Sequence, residues 1–507
     1  MIAQEVHTSK QDMAEQVLAL RQLVETAARD GTPAHEVERD LFQRLLSMGH
    51  SVLDEFFRRQ GSGDLGEQIS LREGEVLHRQ PALHERRYAT IFGEFTLTRT
   101  VYSTGPHEKL VAPLDARLQL PEGKFSHLLQ SWDQLVATEQ PYNQVSRVFA
   151  TIFQLPQHVD TLEHMSRHQS PDAEAFCWSR PVPPAKEEGE ILVESADGKG
   201  VPIRHAADAK PIESHQSRPG PKPDRKRIAT VGAVYSVNRF VRTPEAVLEA
   251  LFHDPGEPRP ADAPPRPRPQ HKWNYARLDD DPQQAEPVKG QAATFGWMDE
   301  QIRARLKRRR KPVPVICLMD GQDSLWSMKH QMQRDLVTVD ILDLLHVTPR
   351  LWTAAKLFHP RNADEAESFV REQTRRILHG QVAKVIHSLR SRATRRQLSG
   401  DKKAQLATVC EYFKKNRERM RYDEYLRQGY PIASGVIEGA CRHVVKDRLE
   451  RTGMSWTRAG AQAMLNLRAI WTSDQWDDFQ KYRIARENAR LYQHADAFSA
   501  LEWPLAA

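Results

Sequence analysis

The sequence predicts an α/β domain, a mixed sheet flanked by helices and carrying a helical insertion, after a mainly α-helical N-terminal region with a β-hairpin. Two apolar segments favour the sheet: ILVESADG, which ends at Asp197 and glycine, and VPVICLMDG, which ends at Asp320 and glycine. Continuous apolar runs are typical of strands buried on both faces of a sheet. A third segment, residues 434–453, is predicted to be a helix that carries Glu438 and stops at Gly453.

Asp197, Asp320 and Glu438 come from far-apart parts of the chain and together match the needs of a two-metal phosphoryl-transfer site. Hard oxygen ligands hold Mg²⁺, and paired ions stabilise both the attacking and the leaving oxygen. Each residue also has an ordinary interpretation. An Asp-Gly pair after a strand is usually a turn. Glu438 has Arg442 four residues on, which is typical of a solvated salt-bridge stripe.

A resemblance to a known family is carried by four blocks: ADGKGVPI, CLMDGQDSLW, ILDLLHVTPRLWTAA and SGVIEGACRHVVKDRLERTGMSWTRAGAQAMLNLRAI. They resemble successive blocks of bacterial insertion-sequence transposases of the Kra type, distant relatives of the Mutator superfamily. The resemblance covers about residues 191–471 and, more weakly, residues 87–168. The last block is the most specific, because so long a run of matched residues does not arise by chance.

This resemblance implies an RNase H-like catalytic domain in which Asp197, Asp320 and Glu438 form a DDE triad. The triad is expected to bind two Mg²⁺ ions, with Mn²⁺ able to substitute. The implied activity is DNA transposition, in which strand cleavage at the terminal inverted repeats is followed by transfer of the freed 3′-hydroxyl to target DNA. Because two ends must be joined, the resemblance also implies a homodimer or a higher oligomer.

Length and composition agree with a multidomain protein of ordinary polarity. The 507 residues are 39% hydrophobic and 28% charged, enough for two to four domains. No apolar run approaches the roughly 18 residues of a membrane span, and the N-terminus has no signal-peptide pattern. These features predict a cytoplasmic protein without a membrane partner, and the resemblance implies a bacterial protein associated with the nucleoid. The four cysteines lack metal-binding spacing, so neither disulfides nor a cysteine zinc site is predicted.

The first region, residues 1–66, is predicted to contain two helices and to end in the flexible stretch GSGDLG. Its apolar residues recur at helical spacing, first at Met13, Val17, Leu20 and Val24 and then from Val37 to Phe56. The stripes fit self-association of a helical hairpin and packing on the rest of the chain equally well.

Residues 67–175 are predicted to hold a β-hairpin around Gly93 and a helix-turn-helix unit. The unit consists of a helix over 142–153, a turn at Pro156 and a second short helix to about His168. An ordinary helical hairpin has the same pattern. If the second helix reads DNA, its contacts are expected at Gln157, His158 and Thr161. In the similar transposases the β-hairpin often goes with paired cysteines; none is present here, so no zinc is predicted.

The remaining chain is divided into a linker, 176–190, a first catalytic part, 191–361, a helical insertion, 362–427, and a C-terminal part, 428–507. Residues 227–237 are predicted to be a further strand, and residues 291–310 a helix. Residues 254–289 are predicted to be a proline-rich surface insertion, since proline is excluded from central strands.

Asp343 and His346 form a D-x-x-H pair whose side chains share one face of the predicted helix. A Cys/Asp-x-x-His pair occupies this place in the related transposases, and it is interpreted as support for the active site or the DNA end. Asp323, Asp340 and Asp343 compete with Asp320 for the second catalytic position. Asp320 is preferred because it alone ends the buried strand and precedes glycine.

Basic residues flank the candidate carboxylates, which favours a DNA partner because side chains of this kind bind a phosphate backbone. The net charge is +6, and residues 219–227 and 303–311 are strongly basic. A solvated helix face explains any one run as well. The predicted DNA contacts are Arg303, Arg305, Lys307, Arg308, Arg309, Arg310, Arg442, Lys446 and Arg451. Trp456 is a further candidate DNA contact, because an aromatic side chain flanked by arginines can stack on a base, although a core position is the commoner fate of a tryptophan.

Two other functions share these features. A nuclease or resolvase on the same fold would use the same carboxylates without joining strands. A domesticated or decayed transposase would bind DNA without metal-dependent chemistry. The presence of all three acids favours an enzyme.

Overall fold

The computed structural model describes residues 13–71, 75–105, 110–204, 226–253, 265–280 and 285–495, together with 498 and 503. Most of the basic run 219–227 and part of the insertion 254–289 lie outside these residues. The chain divides into two compact units, the first from Met1–Met165 with Asp477–Ala507 and the second from Ser166–Trp476. No helix among the described residues combines the length and apolarity needed to cross a membrane.

The first unit is mainly helical and contains two small sheets. Its β3–β4 hairpin is antiparallel, and β2 pairs with both β1 and β5. The predicted helices before residue 60 and the predicted hairpin are confirmed. The elements are α1 (Met13–Asp30), α2 (Ala34–Gln60), β1 (Gln68–Ser70), β2 (Val76–Arg79), β3 (His84–Thr90), β4 (Gly93–Arg99), β5 (Tyr102–Ser103), α3 (Pro113–Leu118), α4 (His127–Glu139), α5 (Tyr142–Ile152) and α6 (Val159–Ser179), whose residues from Ser166 onward belong to the second unit.

The second helix of the predicted helix-turn-helix is longer than expected. We predicted a short helix to about His168, but α6 continues to Ser179 and passes through Pro171. Ala173, Phe176 and Cys177 are buried in its last turns. Their burial offsets the hydrogen bond that Pro171 cannot donate.

Apolar side chains of α1 and α2 remain at the surface. Val17, Val24 and Val52 are 58%, 60% and 46% exposed, and α2 has no buried residue. The two roles predicted for these apolar stripes were self-association and packing on the rest of the chain. Packing within the chain covers little of their apolar surface.

The second unit is built on a five-stranded mixed sheet in the order β10-β9-β6-β7-β8. Strand β6 is antiparallel to β7 and β7 to β8, whereas β9 is parallel to β6 and β10 to β9. The elements are β6 (Ile191–Pro202), β7 (Lys226–Val237), α7 (Pro244–Leu251), β8 (Gln270–Leu278), α8 (Gly290–Lys307), β9 (Val315–Met319), α9 (Asp323–Met332), β10 (Val339–Leu342), α10 (Leu344–Phe358), α11 (Ala363–Leu378), α12 (Val382–Arg395), α13 (Gly400–Lys415), α14 (Tyr422–Arg427), α15 (Gly435–Ala440), a π-helical turn (Cys441–Lys446), α16 (Asp447–Leu449) and α17 (Arg458–Trp471). Helix α18 (Trp476–Leu491) follows, and all of it except Trp476 belongs to the first unit.

Part of the predicted proline-rich insertion, 254–289, is instead strand β8, so that part of the prediction is wrong. Residues Gln270–Leu278 form the edge strand beside β7. Trp273, Tyr275 and Leu278 are buried there, and that apolar burial stabilises the pairing. The nearest prolines are Pro269 before the strand and Pro282 after it, so nothing in the strand itself opposes a ladder of hydrogen bonds.

Residues 362–427, the predicted helical insertion, form helices α11 to α14. These helices share one apolar core with the sheet, since Phe369, Leu389 and Phe413 pack in the same cluster as Ile316 of β9 and Ile341 of β10. The insertion is therefore continuous with the domain core near the ends of β9 and β10.

Asp133 of α4 is fully buried, and neither carboxylate oxygen has a hydrogen-bond partner among the described residues. Burial raises its pKa from 3.8 to about 8. Between these values the unfolded chain releases the proton and the folded chain keeps it. The free energy of unfolding should therefore fall by up to about 1.4 kcal/mol per pH unit across this window.

Asp133→Asn should remove this dependence, because asparagine does not ionise. Thermal unfolding between pH 4 and 9 should show a flatter profile for the variant, with the largest gain in stability near pH 8. The exposed Asp160→Asn variant serves as the control. Parallel profiles for Asp133→Asn and the wild-type protein would contradict the assignment.

Candidate active site

Asp197 and Asp320 lie at the same level of two neighbouring parallel strands. The pairing of β6 with β9 aligns Glu194 with Cys317. Three residues further along both segments, this register reaches Asp197 within β6 and Asp320 directly after β9. The carboxylates are close enough to interact: burial raises the pKa of Asp320, and the charge of Asp197 raises it further. The predicted neighbourhood of these two residues is therefore observed.

Backbone hydrogen bonds orient both carboxylates. The Gly198 N–H donates to Oδ1 of Asp197 at 2.6 Å, and the Gln322 N–H donates to Oδ1 of Asp320 at 2.9 Å. The indole N–H of Trp326 also donates to the Asp320 carbonyl at 2.6 Å. Asp320 thus has one oxygen engaged with the turn that follows β9. The predicted end of the first strand at Gly198 is wrong, because β6 continues to Pro202 and Asp197 lies within it, paired with Val231 of β7.

Glu438 lies on α15, which begins after the N-cap residue Ser434 and continues into the π-helical turn. Such turns occur frequently at functional sites. Cys441, one turn beyond Glu438, donates its thiol hydrogen to Oδ2 of Asp197 at an Sγ–O distance of 3.7 Å. Burial raises the pKa of this thiol, and the charges of Asp197 and Glu438 raise it further. The glutamate helix therefore docks against the Asp197 strand.

The predicted salt-bridge stripe between Glu438 and Arg442 is not observed. Arg442 instead pairs with Asp447, with a distance of 3.4 Å between Nε and Oδ1. Glu438 is exposed, and its charge acts on the pKa values of Asp343 and Cys441.

Asp343 joins the start of α10 to the start of the glutamate helix. Its Oδ1 accepts a hydrogen bond from the Leu345 N–H at 2.8 Å, and its Oδ2 accepts one from the Ser434 N–H at 3.1 Å. The side chain is 1% exposed, and burial raises its pKa. Since both carboxylate oxygens already accept hydrogen bonds, Asp343 is suited to holding the glutamate helix in place and not to binding a metal ion. The second member of the pair, His346, lines a cavity beside Asp320.

Asp197, Asp320 and Glu438 do not converge into a complete set of metal ligands. Within the described ranges, no three histidine, cysteine, aspartate or glutamate side chains converge so that they could hold a metal ion. The donor chemistry of Asp197 and Asp320 nevertheless fits Mg²⁺, which is commonly bound by one or two carboxylates, water and substrate phosphates. A cation between them would also offset the repulsion that raises the pKa of Asp320.

The predicted DNA contacts in the basic run divide into buried and exposed residues. Arg305 is buried and pairs with Glu188 at 3.0 Å, so its prediction is wrong. Arg309 pairs with the same carboxylate at 3.2 Å, and Arg303 pairs with Asp299 at 2.7 Å. Desolvation is costly for an isolated charge, which explains why the buried guanidinium has a carboxylate partner. Lys307, Arg308 and Arg310 are exposed.

Trp456 occupies the core, which makes its predicted stacking on a base wrong. Its side chain is 7% exposed, and its indole N–H donates to the Leu449 carbonyl at 3.1 Å. Its backbone also pairs with Pro202 at the end of β6. Of its neighbours, Lys446 is exposed, while Arg451 donates to the Asp447 carbonyl at 2.7 Å.

The predicted contacts of the second helix in the first unit are only partly at the surface. Gln157 is buried and cannot reach a base edge in this arrangement, so that prediction is wrong. His158 is exposed and Thr161 is half-buried. These two side chains remain candidates for DNA contact.

Sequence reasoning missed two residues beside the aspartates, Arg350 and Tyr412, which line the same cavity as Asp320. Arg350 had a usable signal, because it lies seven residues after Asp343 and four after His346 on one helical face. Tyr412 belongs to the helical insertion, and no local pattern linked it to the strand end.

The comparisons with known proteins include a structural similarity to a transposase complex. No protein-family model and no curated protein matches the chain. Among solved structures, the Drosophila P element transposase strand transfer complex is similar at 10% sequence identity, covering 73% of this chain and 91% of that chain, with a TM-score of 0.24. A TM-score this low does not establish a shared fold, so the functional interpretation depends on the residues described above.

Proposed function

We propose that this chain is a DNA transposase that cleaves strands at the ends of an insertion sequence and transfers them to target DNA. The observation that carries the proposal is the register that brings Asp197 level with Asp320, with the Glu438 helix docked beside Asp197 through Cys441. Two aspartates from distant segments thereby lie near the end of one parallel strand pair, and the helix that carries Glu438 packs beside the first of them.

The fold supports this proposal. The five-stranded mixed sheet with flanking helices is compatible with an RNase H-like domain. The four sequence blocks that resemble Kra-type transposases contain Asp197, Asp320, Glu438 and the Asp343–His346 pair. We assign the Kra type on that resemblance alone.

In the proposed reaction Asp197, Asp320 and Glu438 would hold two Mg²⁺ ions, for which Mn²⁺ could substitute. When bound, such ions would lower the pKa of water and stabilise charge on the attacking and leaving oxygens. The chain itself positions the carboxylates: the Gly198 and Gln322 N–H groups fix the two aspartates, and Asp343 holds the start of the glutamate helix. No zinc is included in the proposal.

The proposed substrate is double-stranded DNA at the element's ends and at the target. Exposed basic side chains, Lys307, Arg308, Arg310 and Lys446, are suited to a phosphate backbone. His158 and Thr161 would contact the terminal repeat. The proposed oligomer is supported by the exposed apolar side chains of α1 and α2, which a second copy could cover.

The proposal is tested with oligonucleotides copied from the DNA that flanks the gene, incubated with the purified protein and a target plasmid. In Mg²⁺ we expect cleavage at the repeat ends and joining of pre-cut ends to the plasmid, and in EDTA we expect neither. Cleavage without joining would favour the nuclease or resolvase. Binding to the repeats with no metal-dependent product would instead favour a non-catalytic DNA-binding protein.

A further inference from the structure

A cavity of about 340 Å³ opens beside Asp320, at the low end of the roughly 300–1,000 Å³ typical of ligand sites. It lies between the end of β9, helix α10 and the helical insertion. Its polar lining residues are Asp320, Gln322, His346, Arg350, Thr353 and Tyr412. The cavity therefore combines the candidate catalytic aspartate with cationic and hydrogen-bonding groups.

Arg350 is the permanent cation of this cavity. Its side chain is exposed, and within the described part of the chain its guanidinium forms no ion pair. It lies 4.8 Å from the centre of the Tyr412 ring, a cation–π contact. It is also near enough to Asp320 to oppose the rise in the pKa of that carboxyl. The guanidinium is thus held in place while its donors remain available to an anion.

Tyr412 provides a fixed support for this arginine. A Cβ atom at Gly321 would lie 2.4 Å from the ring of Tyr412, so only glycine allows the ring to approach the strand end this closely. A further contact holds the insertion here, since Arg419 lies 4.0 Å over the Trp326 ring of α9.

We propose that Arg350 binds a phosphate of the DNA strand being cut, adjacent to the scissile phosphate, with Gln322 and Thr353 as additional hydrogen-bond donors. Planar guanidinium groups bind phosphate oxygens through paired hydrogen bonds. A strand whose scissile phosphate lies at Asp197 and Asp320 would place a neighbouring phosphate within this cavity. The inference rests on the proposed function for the nature of the anion. It assigns to the helical insertion a part in substrate binding.

The test combines arginine variants with single methylphosphonate substitutions, which remove the charge of one phosphate at a time. Binding is measured by fluorescence anisotropy in EDTA, so that no catalysis is needed, and cleavage is measured separately in Mg²⁺. The variants are Arg350→Ala and Arg350→Lys, with Lys356→Ala as the control, since Lys356 is exposed on the same helix and lies outside the cavity. Thermal unfolding verifies that each variant is folded.

In the wild-type protein, one phosphate next to the cleavage site should be sensitive, with affinity falling about 10- to 100-fold on neutralisation. Arg350→Ala should lose a similar factor with unmodified DNA and should no longer respond at that position. The slope of log affinity against log salt concentration should fall by about 1. Arg350→Lys should recover part of the affinity, and Lys356→Ala should behave as the wild type.

Identical methylphosphonate profiles for the wild-type and Arg350→Ala proteins would overturn the inference. The inference would also be overturned if neutralising any phosphate lowered the affinity for DNA equally. Competition by millimolar inorganic phosphate without any dependence on DNA position would overturn it too, since either result means a general anion site. Cleavage with unchanged profiles would leave the proposed function standing and remove the role of Arg350. The expected binding profile without any cleavage in Mg²⁺ would keep the role of Arg350 in DNA binding and contradict the proposed transposase activity.

Discussion

Asp320→Asn is expected to reduce strand cleavage in Mg²⁺ by roughly 10³-fold or more, because a metal ligand contributes several kcal/mol of charge stabilisation in this type of reaction. The substitution keeps the size of the side chain and an oxygen that can accept the Gln322 N–H bond. Binding to the repeat ends should therefore remain within a few-fold of the wild type. Single-turnover cleavage and anisotropy on the same DNA measure the two effects.

Asp323→Asn is the matched control for this prediction. Asp323 lies three residues further on, competed with Asp320 in the sequence, and is exposed at the start of α9, where it pairs with Lys415. Its substitution should leave cleavage within about a few-fold, since exposed ion pairs contribute little. If the Asp320 variant cuts as well as the control, Asp320 is not a ligand.

Asp343→Ala is expected to destabilise the second unit and to impair cleavage. It removes the acceptor for two backbone N–H groups, the N-cap bond of Leu345 and the bond that holds Ser434 before the glutamate helix. Losing a helix cap costs about 1 kcal/mol, and leaving a buried donor unsatisfied costs about 1–3 kcal/mol. The free energy of unfolding should therefore fall by about 2–4 kcal/mol.

Asp343→Asn separates positioning from stability, because its single carbonyl oxygen can accept only part of this pair of hydrogen bonds. We expect it to retain most of the stability and to lower the rate constant for cleavage more than the apparent affinity for DNA. Chemical denaturation and a KM-against-kcat comparison are the measurements. A variant that loses stability but cleaves at the wild-type rate when folded would show that Asp343 has no role in placing Glu438.

Local sequence patterns predicted the strands of the candidate site but not the way in which the strands pair. Burial and turn chemistry predicted that β6 and β9 would each deliver an aspartate beside a glycine, and both strands are observed. The relation between the aspartates depends on the register of a parallel pair whose partners are far apart in sequence. No pattern within either strand encodes that register.

The wrong predictions have a common physical cause. Arg305 and Trp456 were interpreted by residue type, as a cation and an aromatic available to DNA. Arg305 is neutralised by Glu188 from a segment before the first strand of the sheet, and Trp456 is covered by contacts with β6 and Leu449. Whether a side chain is exposed depends on the assembled fold. The residue type alone therefore does not show that a basic or aromatic side chain is available to DNA.

The sequence by itself determined the α/β class, the helical insertion and the choice of Asp197, Asp320 and Glu438, because periodicity, turn residues and acidic positions are local. Only the tertiary structure decided that Gln270–Leu278 is an edge strand, that Asp343 tethers the glutamate helix, and that Tyr412 of the insertion supports Arg350 beside Asp320. The physical reason is that burial, strand register and the pairing of charges are set by contacts between distant segments.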